Sequence, residues 1–73
     1  MFKSLDRKSV RLREIKCDKK PNPRVVEMWK KSYREGSFVP SPVIDDEQNV
    51  IAFHDSYFAA RELGLRKINV SVV

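Results

Sequence analysis

A small α+β domain is the fold class this sequence predicts: a mixed sheet of about four short strands with two helices, ordered β-α-β-β-α-β. Three observations point to it. The chain closes on an alternating apolar run, INVSVV, and a shorter alternating run, VRL, lies near its start. Two stretches of helical periodicity lie between them, each stopped by one of the chain's two glycines, Gly36 and Gly64. Between the helices a polar turn, DDEQN, separates two short apolar runs. Strands alternate with period two and amphipathic helices with period 3.6, and elements with one apolar face each must pack in layers.

Met1 to Ser9 carries four charges and weak periodicity, and reads as a loose arm or a short helical turn. In Val10–Cys17, Val10 and Leu12 share a face opposite Arg11 and Arg13, which predicts a half-buried strand, and Ile15 breaks the pattern. The prolines of DKKPNP forbid regular pairing. There Asn22 is a ready N-cap and Pro23 suits the first helical position, where its missing N–H is not needed. The spacing predicts a helix over 24–35, with Val25, Val26, Met28, Trp29 and Tyr33 on one side and Gly36 as the left-handed stop. Core packing is expected of Trp29, Tyr33, Phe38 and Phe53.

Pro40 and Pro42 keep SFVPSP out of a central strand. Val43 and Ile44 begin a hairpin that returns through 50–53. Asp55 or Ser56 is expected to cap the next helix, on which Tyr57, Phe58, Ala60 and Leu63 are apolar before the Gly64 stop. Ile68 to Val73 forms the last strand.

Seventy-three residues are expected to make one domain. A chain of this size buries only about 60% of its unfolded surface, so modest stability is expected and a homodimer contact would help it. Hydrophobic content of 41% beside 34% charge fits a globular chain rather than a disordered one. No apolar run approaches the ~20 residues of a membrane span, and the N-terminus lacks the apolar core of a secretory signal. Cys17, the single cysteine, is read as a structural thiol in a reducing cytoplasm.

Charge is unevenly placed. Residues 1–34 hold twelve Lys/Arg against four Asp/Glu, and residues 35–73 hold three against six. Arg11, Arg13, Lys19, Lys20, Arg24, Lys30, Lys31 and Arg34 are the candidate nucleic-acid-binding residues, because cations gathered on one surface bind phosphate backbones. An acidic protein surface is the other partner such a patch would take.

His54 beside Asp55 invites an acid–base reading, since a carboxylate neighbour can poise a histidine near neutral pH. Adjacent strand residues would face opposite sides, however, and nothing else in the sequence completes a catalytic set. One His and one Cys cannot supply the three or four ligands of a metal site, and no P-loop, GxGxxG or HExxH motif is present. No enzyme activity and no cofactor are expected.

The order of elements from about Val10 to Val73 resembles the ParB N-terminal domain and the sulfiredoxin fold similar to it. The residues that carry the resemblance are Ser32-Tyr33-Arg34-Glu35-Gly36 at a helix end and the proline-bearing stretch from Pro40 to Asp45. Tyr57, Ala59, Ala60, Glu62, Leu63, Gly64 and Leu65 of the second helix, with the strand INVSVV, extend it. The family carries a glycine–x–x–arginine motif at the second helix start, where backbone N–H groups and the arginine hold a phosphate. Here Phe53, His54, Asp55 and Ser56 occupy those positions. Phe53 replaces the glycine, Ser56 replaces the arginine, and Asp55 places a negative charge where phosphate would sit. The cysteine of sulfiredoxin is absent as well. The resemblance therefore implies a degenerate, non-catalytic ParB-like module without a nucleotide cofactor. It suits a cytoplasmic accessory protein of a mobile genetic element that binds nucleic acid, or alternatively a protein-interaction module or inhibitor built on the same scaffold.

Overall fold

The computed structural model describes residues 6–73. Strand β1 (Asp6–Arg11) leads through a 3-10 turn (Leu12–Glu14) and a loop to helix α1 (Pro23–Glu35). Then come β2 (Val43–Ile44), β3 (Val50–Ala52), helix α2 (His54–Glu62) and β4 (Lys67–Val72). The sheet order is β1-β4-β2-β3. β1 and β3 run antiparallel to their neighbours, while β2 and β4 pair parallel, so the sheet is mixed as expected.

The N-terminal expectation needs correction. Arg7 to Ser9 do not form an arm or a helical turn; they pair residue by residue with β4, from Asp6↔Val72 to Arg11↔Lys67. The first five residues of the expected arm lie outside the described residues. DRKSVR hides its strand character because β1 is an edge strand that buries only Val10 within 7–11. Its conformation is imposed by the apolar strand beside it. The strand also ends sooner than expected, at Arg11. Leu12 and Ile15 still bury, now from a 3-10 turn, and Lys16 bonds to the far edge through Lys16 N–H to Gln48 O and Val50 N–H to Lys16 O, both 2.8 Å. The chain thus crosses one end of the sheet, from edge strand β1 to edge strand β3, and closes the core there.

Both helix stops form as the glycines predict. Gly36 has φ 70° and Gly64 φ 76°. At each stop the residue after the glycine reaches back five positions: Ser37 N–H to Ser32 O at 2.9 Å, and Leu65 N–H to Ala60 O at 3.1 Å. Asn22 caps α1, its Oδ1 accepting from the Arg24 N–H at 3.1 Å.

The core gathers Val10 from β1, Ile68 and Val70 from β4, Ile44 and Val50 from the hairpin, and Tyr57 and Ala60 from α2. Cys17, Tyr33 and Phe58 pack against it. Trp29 is only half-buried on α1, and Met28, expected on the apolar side, is exposed. Phe38 and Phe53 are not in the core: they are 80% and 54% exposed. Neither lies in a regular element, so strand alternation does not govern where its ring goes.

The two helices run in the same direction. Near their starts the Asn22 N–H donates to Asp55 Oδ1 at 2.9 Å, and two turns on Lys30 Nζ meets Glu62 Oε1 at 3.3 Å. Val26 and Ala59, one turn beyond the first tie on each helix, are buried. No helix among the described residues is long and apolar enough to cross a membrane.

Candidate nucleic-acid interface

Antiparallel register places residues directly opposite one another on the same face of a sheet. Val10 pairs with Ile68 toward the core, so the next rung, Arg11 opposite Lys67, faces away from it. Leu12 N–H donates to Arg66 O at 2.9 Å, which holds the 3-10 turn beside the residue preceding β4. Arg11, Arg13, Arg66 and Lys67 consequently line one cleft of about 480 Å³, and all four are exposed. Among the described residues the ion pairs are Lys30 with Glu27, Lys30 with Glu62, and His54 with Asp55. The four cations of the cleft have no carboxylate partner within that set.

The eight candidate cations of the sequence are spread over several elements. Arg11 and Arg13 line the cleft. Lys19 and Lys20 lie exposed on the loop before α1, Arg24 at the start of that helix, and Lys31 and Arg34 on its exposed side. Lys30 is committed elsewhere: its ammonium bonds Glu27 at 3.0 Å and Glu62 at 3.3 Å, and these carboxylates hold its pKa above the ordinary lysine value. Sequence reading missed Arg66 and Lys67 because they belong to the half that is acidic overall. The signal was local: two basic residues open the last strand just as two flank the end of the first. Only the pairing of these strands joins them.

The positions that the resemblance matched to the glycine–x–x–arginine motif, Phe53 to Ser56, build a different local structure from the one expected. Neither Asp55 nor Ser56 is the N-cap of α2. The cap is Phe53, in the left-handed region at φ 57°, ψ 41°, with no side-chain cap bond. The chain thus turns where glycine would turn most readily, but with a side chain in place. Asp55 lies within the first turn and accepts the N–H of Asn22, which is itself the cap of α1. One carboxylate therefore sits where the positive ends of two parallel helix dipoles converge. His54 Nε2 lies 3.5 Å from the same Oδ1, so the two side chains are neighbours on a helix rather than on opposite faces of a strand. Ser56 is fully buried, and its Oγ has no hydrogen-bond partner. No group of three or more metal-ligating side chains occurs among the described residues.

No protein-family model and no curated protein matches this sequence. Solved structures do. A Pnob8-like ParB N-domain superposes with a TM-score of 0.77 at 19% identity, over 99% of this chain and 31% of that one. A pNOB8-like ParB N-domain superposes with a TM-score of 0.75 at 18% identity, over 99% of this chain and 29% of that one. This chain thus spans less than a third of the length of either. Across nearly all of its residues it has the α+β fold of the ParB N-domain.

Proposed function

We propose that this chain is a non-catalytic ParB-like module that binds nucleic acid through backbone phosphates at the Arg11, Arg13, Arg66 and Lys67 cleft. The observation that carries the reading is the convergence of four exposed cations on one concavity with no carboxylate partner among the described residues. Gathering like charges is unfavourable unless a polyanion neutralises them, and arginine's fork suits phosphate oxygens. A cytoplasmic accessory role in a mobile genetic element belongs to the same proposal, supported by the lone Cys17 thiol and the likeness in fold.

Fluorescence anisotropy with short DNA at low salt tests it. Four phosphate contacts on duplex give a slope of log K against log salt of roughly −3.6, at about −0.9 per phosphate. Combined Arg11→Glu and Arg66→Glu substitutions should lower affinity by about tenfold or more, while Lys31→Glu with Arg34→Glu should change it far less. Absence of binding to duplex and single strand alike at low salt would sink the proposal.

A protein partner is the second reading, favoured by the exposure of Ile51 and Phe53 at the β3–α2 corner. Ile51→Ser with Phe53→Ser would abolish such a contact and leave nucleic-acid affinity unchanged.

A further inference from the structure

The cationic cleft has a neighbour. A second concavity of about 260 Å³ is lined in part by Ser9, Tyr33, Pro40, Ser41 and Asn69, and Lys67 lines both. The register explains the adjacency. Arg11 faces Lys67, and two residues along the same face Ser9 faces Asn69, a separation of about 7 Å at the usual rise of a strand. The two hollows are successive rungs of one ladder, the first lined by cations alone and the second by one shared lysine among polar and apolar residues.

Their lining differs in chemistry. Beside Lys67, the second hollow is lined by Ser9, Ser41, Asn69 and Tyr33 among apolar residues. No side-chain hydrogen bond ties Ser9, Ser41, Asn69 or Tyr33 to another described residue. Burial pushes the Tyr33 phenol above its ordinary value. Pro40 supplies an apolar wall. Phe38, two residues before Pro40, carries the most exposed large apolar side chain of the described residues.

We propose that the nucleic acid held by the cationic cleft is single-stranded, with one unpaired base entering the hollow of Ser9, Tyr33, Ser41 and Asn69 and Phe38 offering a ring to an adjoining base. The inference rests on the nucleic-acid reading and narrows it. A base within a duplex has its pairing edge occupied and its faces stacked, so it cannot enter a side pocket. An unpaired base offers a free edge for hydrogen bonds and a face for stacking. At about 260 Å³ the hollow is smaller than the ~300–1,000 Å³ pockets that enclose drug-sized ligands, which suits a base whose sugar and phosphate lie outside on the cations.

Anisotropy with the full chain at low salt separates the two readings. The probes are a short single strand (the tighter of oligothymidylate and oligouridylate), an abasic strand of equal length, and a duplex. The base-bearing strand should bind about tenfold tighter than the abasic one and also tighter than the duplex. Phe38→Ala and Asn69→Ala, both at exposed positions where folding is not at stake, should each weaken that strand by about fivefold or more while leaving the other two within about twofold. Equal affinity for abasic and base-bearing strands would overturn this inference and leave the phosphate cleft standing. So would displacement of the strand by a free mononucleotide of similar affinity. Failure of every probe to bind would remove both readings.

Discussion

Phe53 turns the chain into α2 with a backbone conformation that costs an L-residue roughly 1–2 kcal/mol. A bulky side chain at positive φ persists only where the surroundings over-determine it. Here β3 ends at Ala52 and α2 begins at His54, so one residue must make the whole turn. Phe53→Gly should therefore be more stable than Phe53→Ala by about 0.5–1 kcal/mol, despite glycine's greater freedom in the unfolded chain. Urea unfolding of the two variants checks this, and an alanine variant equal to or better than glycine would show that the left-handed turn is not held. The resemblance matched Phe53 to a family glycine, but the backbone conformation at this position was not legible in the sequence. The residue reads as a bulky obstruction and expected core, whereas its ring stands half in solvent and its backbone retains the glycine-like turn. Asp55 is a similar case. As a letter it is a cap or a repulsive charge; in the fold its carboxylate joins two helix starts that lie 33 residues apart in sequence.

The β2–β3 hairpin shows what one element asks of its turn. Asp45 accepts the N–H groups of Glu47 and Asn49 at 2.9 Å each, and its second oxygen accepts from the Asn49 amide at 3.2 Å. The bond from the Asn49 backbone is the chief cause holding this carboxyl below the ordinary aspartate value, with Lys16 adding a smaller pull. A pKa depressed by folding stabilises the folded state above the unfolded value near 3.8, and the benefit is lost as pH falls through the lower folded value. Acid below about pH 3.8 should thus loosen this hairpin. NMR titration of the Asp45 carboxyl should give a midpoint below that of a free aspartate, and Asp45→Ala should lower Tm at neutral pH with less effect in acid. A midpoint at the ordinary value would refute the bonding pattern. The turn itself is easily read from DDEQN, because its hydrogen bonds are local. Local chemistry also made α1 legible, through Asn22, Pro23 and Gly36. β1 was half legible: Val10 marks it, but residues 6–9 take their conformation from backbone pairing with β4, which leaves no apolar alternation to find.

Across the whole molecule, the strand order turns an uneven distribution of charge into a local field. The chain carries a net charge of +5, and its first and last strands are neighbours. Their pairing gathers Arg11, Arg13, Arg66 and Lys67 around one cleft. Repulsion within this cluster is screened over a Debye length of about 10 Å at 0.1 M salt. Added salt should therefore raise Tm while it weakens oligonucleotide binding, and a saturating oligonucleotide at low salt should raise Tm as well. Thermal melts across a salt series read both effects; a Tm that falls with moderate salt would show that the cations are not in mutual repulsion.

Residue preferences and short-range periodicity were enough to read the class and order of the elements, both glycine stops, the α1 cap, the polar turn and most of the buried apolar positions. Each depends on a residue's own backbone preferences or on periodicity over a few neighbours. It takes the packed chain to start the first strand as early as Asp6, to make Asp55 a bridge between two helices, to keep Phe38 and Phe53 out of the core, and to commit Lys30 to two glutamates. The packed chain also decides which cations meet. Arg11 and Lys67 lie 56 positions apart, and their proximity follows from a strand register set by the burial of Val10, Ile68 and Val70. Register is a property of the packed pair of strands, and no window along one strand contains it.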